Sequence, residues 1–193
     1  AMNDKHEYLW QNKGGTRDEQ LVRDMAVFSA FGEGLQLFAS FVMLLNFQRH
    51  GKMKGMGQIV AWSIRDESHH VESMIKLFHC LLDEKPHVWN DTFKKSLYDI
   101  CRDMVTLEDR FIDLAFELGP VEGLEPHEVK QYIRHIADRR LLQLGLKPNF
   151  GVKDNPLEWV DWVVNGVEHT NFFENRSTEY AKGALKGDWA DAF

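Results

Sequence analysis

Proline is missing from the first 85 residues of this chain, and only five occur in all 193. Stretches that alternate polar and apolar residues are equally scarce. Both absences argue against a β-rich fold and for long uninterrupted helices. Cysteine is sparse too. Cys80 and Cys101 alone make no disulfide framework, which suits a reducing, cytoplasmic setting. The net charge of −7 comes with no basic cluster, which argues against nucleic acid as the main partner. The opening residues "AMNDKHEYLWQNKGG" are polar from the start, so no signal peptide is expected. One stretch, Met25 to Phe47, has the length of a membrane span and a single charge, Glu33. A lone acid there would need a partner, and no second segment is comparably apolar. The expectation is a helix buried in a soluble bundle, with no membrane.

What is present fits one globular domain, with 44% hydrophobic and 12% aromatic residues. A first helix is expected from Asp18 to Phe47, after the breaker "KGGT". The polar loop "QRHGKMKGMG" follows, then a second helix to Asp83. A third runs from Asn90 to Leu118 and a fourth from Pro126 to Gly145. The segment "LEWVDWVVNGVEHTNFFENRSTEYAKG" is expected to be mixed, with short helical turns. The fold class is an all-α bundle.

Helical spacing picks out one constellation. Residues three and four apart share a helix face, so Ile64, Glu67, His70, Val71 and Met74 form one stripe, with Glu67 and His70 expected to point inward. His69 faces away. On the first helix Glu33 shares a stripe with Ala26, Ser29, Ala30, Leu37 and Phe41. Glu33 and Glu67 lie 34 positions apart, with His50, inside the polar loop, at their midpoint. A hairpin turning there brings both carboxylates to one level. Two such carboxylates repel and raise each other's pKa, and a bound cation removes the conflict. Glu plus Glu-x-x-His is half of the ligand set of a dinuclear carboxylate site, and oxygen and imidazole donors suit iron or manganese. The bland alternative is a satisfied core or surface pair. Asp66 has two readings, a surface pair with His69 or His70, or an outer acceptor for a ligating histidine.

Other clusters read as structural. Glu108, Asp109 and Asp113 make a solvated helix face. Asp138, Arg139 and Arg140 are explained by surface pairing or helix-end charge. Trp159 and Trp162 are expected in the core.

Five stretches resemble the small (β) subunit of class I ribonucleotide reductase. They are "GEGLQLFASF" around Glu33, "RDESHH" around Glu67, "YIRHIADRRLLQLG" from Tyr132, "NPLEW" from Asn155 and "NFFENRSTEY" ending at Tyr180. The final "DWADAF" resembles the family's C-terminal peptide. The resemblance implies a ferritin-like helical fold over residues 1–182 and a docking tail over 183–193. It implies a dinuclear metal centre, di-iron first, with di-manganese and manganese–iron as alternatives. That centre reacts with oxygen and makes a radical or equivalent oxidant, which passes to the large (α) subunit for reduction of ribonucleotides. By the resemblance Glu33, Glu67 and His70 are metal ligands. Asp66, Glu174 and Tyr180 serve radical transfer, and about Gly187 to Phe193 dock into the large subunit. The protein would work as a homodimer.

The resemblance has a gap. The family's first half-site, an acid and then a helix with Glu-x-x-His and a tyrosine, has no counterpart here. "DKHEYLW", with Glu7 and Tyr8, resembles the segment just after that helix. The chain therefore corresponds to the C-terminal half of the family's subunit, either truncated or one piece of a split subunit completed by a separate N-terminal half. A different class of reading is a non-catalytic helical protein that keeps half of the metal site and uses the tail only for docking.

Overall fold

The structure is a computed structural model and describes residues 2–11 and 14–165. Seven α-helices appear among them. They are α1 (Met2–Gln11), α2 (Arg17–Met25), α3 (Phe38–Arg49), α4 (Lys54–Glu84), α5 (Asp91–Phe116), α6 (Pro126–Gln143) and α7 (Glu158–Asn165). A π-helical segment, Ala26–Glu33, continues α2, and a 3₁₀ turn, Pro86–Val88, precedes α5. Among the described residues the β structure is a single bridge between Val121 and Leu124.

Local chemistry sets the helix ends. Thr16 caps α2 through a reciprocal box: its hydroxyl accepts from the Glu19 amide at 3.3 Å, and the Glu19 carboxylate accepts from the Thr16 amide at 2.8 Å. Asn90 caps α5 by accepting from the Phe93 amide at 2.9 Å. Pro126 stands in the first turn of α6, where its missing N–H costs nothing. Between α3 and α4 the chain reverses over His50 to Met53, with Gly51 (φ 73°) and Met53 (φ 46°) in the left-handed region. The turn falls where the spacing of Glu33 and Glu67 predicts it.

The first long helix is not uniform. Over Ala26–Glu33 the backbone adopts the wider π register, and a turn at Gln36 and Leu37 separates it from α3. The buried stripe consequently runs through Val22, Ala26, Ala30, Phe31, Leu35, Phe38, Val42 and Leu45, and Glu33 and Leu37 sit beside it rather than in it. On α4 the buried stripe is Val60, Ile64, Val71, Ile75 and Phe78, and Glu67 and His70 again flank it.

The hairpin of the π segment and α3 against α4 packs on α6, the α5–α6 pair lies alongside, and α7 crosses α3 and α4. Phe31, Phe78, Phe93, Leu97, Met104, Ile133 and Leu141 are fully buried in the shared core. Each such side chain stabilises the fold by about 1.5–3 kcal/mol through removal from water. The loop at 120–124 fastens the hairpin turn. Asn46 Nδ2 donates to the Glu122 carbonyl at 2.8 Å, and Lys52 pairs with the Glu122 carboxylate at 2.8 Å.

Four expectations need correction. The polar N-terminal stretch forms α1, which packs on α5 and the π segment. Its buried anchor is a cation: Lys5 forms an ion pair with Glu108, and both are nearly inaccessible. Glu108 is therefore not on a solvated face; of that cluster, Asp109 binds Arg134 through two hydrogen bonds of 2.9 and 2.6 Å, and Asp113 pairs with Lys130 at 2.6 Å. Asp138 and Arg140 are buried as well. Asp138 accepts backbone N–H groups of Asn149 (2.7 Å), Phe150 (2.8 Å) and Val152 (3.0 Å), so it clips the connector to α6. Trp159 packs against the core as expected, but Trp162 is exposed on the outer side of α7.

Candidate metal centre

The site is built from two elements. α4 carries Glu67 and His70 one turn apart, with His70 Nδ1 3.7 Å from Glu67 Oε2. The C-terminal end of the π segment carries Glu33. The α3–α4 reversal brings the two together, and one ligand atom from each of Glu33, Glu67 and His70 lies within 4.8 Å of the others. With metal–oxygen and metal–nitrogen bonds of about 2.2 Å, two donors on one cation stand at most about 4.4 Å apart, so a side-chain adjustment of a few tenths of an ångström brings all three onto a single ion.

Electrostatics agrees with the geometry. The Glu33 carboxyl is held above its ordinary value, first by burial and then by the Glu67 charge, while His70 pulls it down. A cation between the groups would offset the repulsion and replace the lost hydration. The donor set contains oxygen and imidazole nitrogen. The thiols stand apart, Cys101 being buried in α5 with its pKa raised to about 12 by burial.

Burial departs from expectation. Glu33 and Glu67 are half-buried, but the His70 side chain is 63% exposed rather than inward. The cause is packing. The side of α4 that runs from Ile59 through Glu67 and His70 to Leu77 is not covered by the described residues, and Ile59 and Leu77 are about half exposed on it. Beside Glu33 a cavity of 310 Å³ opens between α1 and the π segment, lined by Leu9, Phe28, Gln36 and Leu37. A larger cleft of 520 Å³, between α1 and α5, contains none of the three ligands. Asp66 is exposed on α4, and no ion pair joins it to His69 or His70 among the described residues. Glu174, Tyr180 and the residues from Gly187 to Phe193 lie outside the described residues.

The profile of the family described as "Ribonucleotide reductase, small chain" matches residues 1–156. The chain belongs to this family. A relative named probable ribonucleoside-diphosphate reductase small subunit 048L, from Invertebrate iridescent virus 3, is 47% identical over 206 residues; the match covers 98% of this chain and 55% of the relative. The ribonucleoside-diphosphate reductase subunit beta of Chlamydia pneumoniae is 33% identical, over 83% of this chain and 46% of that protein. The chain thus spans about half the length of the relatives it matches. Among solved structures, the ribonucleotide reductase R2 subunit from Clostridium botulinum superposes with a TM-score of 0.71 at 23% identity, covering 75% of this chain and 45% of that one. The likeness establishes a ferritin-like helical fold for the family member described here. One helical stretch, Arg17–Arg49, is long and apolar enough to cross a membrane, and more than half of its most apolar part is buried inside the fold.

Proximity missed two things that matter to the site. The π segment lies in "AVFSAFGE", whose composition does not distinguish the π register from the α spacing used to place Glu33 on a stripe. The exposure of His70 follows from what packs over α4, which helical spacing does not encode.

Proposed function

We propose that this chain is the C-terminal portion of the small (β) subunit of ribonucleoside-diphosphate reductase. The observation that carries the proposal is the convergence of Glu33, Glu67 and His70 on one uncovered side of the α3–α4 hairpin. Three donors form one half of the six-ligand set of a dinuclear carboxylate centre; a Glu and a second Glu-x-x-His would complete it. A separate N-terminal half of the subunit would bring those ligands and cover the side of α4 that bears His70.

Bound by these residues, a dinuclear iron centre, or a manganese or mixed one, would supply oxygen activation and a one-electron oxidising equivalent for reduction of ribonucleotides in the large (α) subunit. The chain's own residues bind and position. Glu33 and Glu67 neutralise cationic charge, and His70 contributes a neutral nitrogen donor. Asp66, beside Glu67 on α4, accepts a hydrogen bond on the transfer path. Glu174 and Tyr180 continue that path toward the large subunit, and the tail over 183–193 docks with Trp189 and Phe193 as apolar anchors. Residues 1–182 form the helical domain, working as a homodimer in the cytoplasm.

The test is a subunit reconstituted with its N-terminal half. Glu67→Ala and His70→Ala should each lose metal. Retention of two metals per subunit in either variant would refute the ligand assignment. Tyr180→Phe should keep the metal and abolish turnover with the large subunit; an active variant would remove Tyr180 from the path. A metal-loaded wild-type complex inactive with every large subunit tried would favour the non-catalytic reading.

A further inference from the structure

The break that ends the π segment is held by two buried cations from distant parts of the chain. Helical carbonyls at such a junction lose their regular partners. Here Arg140, from α6, donates through Nε to the Gly34 carbonyl at 2.8 Å. Lys5, from α1, donates through Nζ to the Gln36 carbonyl at 2.7 Å. Both side chains are more than nine-tenths buried. Each is also fixed from other directions. Arg140 donates to Gln143 Oε1 at 2.8 Å and stacks over Phe38 at 5.5 Å. Lys5 pairs with Glu108 and lies 4.6 Å from the centre of the Phe111 ring.

Gly34 is shaped to this contact. A Cβ there would stand 2.7 Å from Arg140 Nε and 3.1 Å from the Ser29 carbonyl, so any side chain displaces the guanidinium or the backbone. Its φ of −82° is ordinary, so close approach and not conformation demands the glycine. Burial lowers the Arg140 pKa only to about 10, which leaves it charged at neutral pH. Cations at the carbonyl end of a helix are the favourable sign.

We infer that Arg140 and Lys5 are positioning residues for Glu33, clamping the carbonyls one and three residues beyond it so that its carboxylate meets Glu67 and His70. Both cations bond backbone carbonyls and not the Glu33 carboxylate, so the two clamps work through the backbone. This inference rests on the reading of Glu33 as a ligand and adds how the fold aims it.

The experiment has two arms on the full chain. The first titrates Co(II), followed by its visible absorption, into wild type, Arg140→Met, Arg140→Lys, Gly34→Ala and Asp138→Asn. Removing partners that orient ligands costs about 10- to 100-fold in metal affinity. Arg140→Met and Gly34→Ala should weaken Co(II) binding by that factor, and Arg140→Lys should recover part of it. Asp138→Asn frees the 149–152 connector from α6 without touching Gly34, and it should lower stability at unchanged Co(II) affinity. Wild-type affinity in Arg140→Met, or an equal loss in Asp138→Asn, would overturn the inference. The second arm measures amide hydrogen exchange of the metal-free proteins. Arg140→Met and Lys5→Met should speed exchange at residues 34–38 well beyond any change across α6. Unchanged exchange there would overturn the clamp. Absence of Co(II) uptake by wild type would instead count against the metal reading, with the exchange arm still deciding the clamp.

Discussion

Lys5 and Glu108 offer a stability cycle whose sign and pH dependence follow from burial. Glu108 is fully inaccessible, and burial pushes its carboxyl up to about 7 from an ordinary 4.5, against the lowering effect of Lys5. An acid whose pKa is raised by folding disfavours the fold when it ionises. Wild-type stability should therefore fall as pH climbs from 4.5 through 7 and level off above. At 1.36 kcal/mol per pH unit the total contribution is about 3 kcal/mol. Lys5→Met strands the carboxylate, and at pH 8 the loss should be about 3 kcal/mol, the lower end for a broken buried pair, because the acid can take up a proton. At pH 5 the carboxyl is already neutral in the fold, so the loss should shrink to about 1 kcal/mol, the worth of the hydrogen bond to Gln36. Lys5→Met/Glu108→Leu replaces the pair with apolar groups and should lie within about 1 kcal/mol of wild type at pH 8. Urea unfolding followed by circular dichroism at pH 5 and pH 8 measures all four corners of the cycle. Equal losses for Lys5→Met at the two pH values, or simple additivity in the double variant, would refute the reasoning.

Three further outcomes are expected. Thr16→Ala removes the reciprocal cap of α2 and should cost about 1 kcal/mol in urea unfolding. Asp138→Asn turns an amide donor toward the connector's N–H groups and should cost about 2 kcal/mol, with faster proteolysis near residues 149–152. Ile59, Leu37 and Leu77 are exposed around the candidate metal centre, and the purified chain should self-associate with rising concentration in sedimentation velocity; Leu77→Lys should reduce this, whereas a monodisperse wild-type monomer would contradict it.

Legibility in the sequence tracked the range of the interaction. Pro86, Asn90 and Pro126 announce helix ends because a cap or a missing N–H acts within one turn, and the end of α4 and both ends of α5 and α6 fall within two residues of expectation, whereas α4 begins at Lys54, inside the expected loop. The juxtaposition of Glu33 and Glu67 was readable because one short reversal relates them. Glu108 was misread because its partner lies 103 positions away in a helix whose own composition is polar. Asp138 and Arg140 look like surface charges until the backbone groups they bind are known. The π register left no mark in an apolar run, although it decides which side of the hairpin Glu33 occupies.

The π segment also bears on insertions and deletions. It holds a surplus of backbone relative to a regular helix, and Glu33 and the α2 face take their relative phase from it. Deleting one residue from 26–33 as the segment reverts to an ordinary α-helix would remove that surplus and leave the two flanks close to their present phase, whereas reversion at unchanged length would rotate them by about 100°. Either α2 would turn its apolar side out of the core or Glu33 would swing away from Glu67. Most single substitutions in this apolar stretch alter volume alone. A change of register at fixed length alters aim, so a substitution that forces this segment into the ordinary α register should disturb Glu33 more than one that alters volume alone.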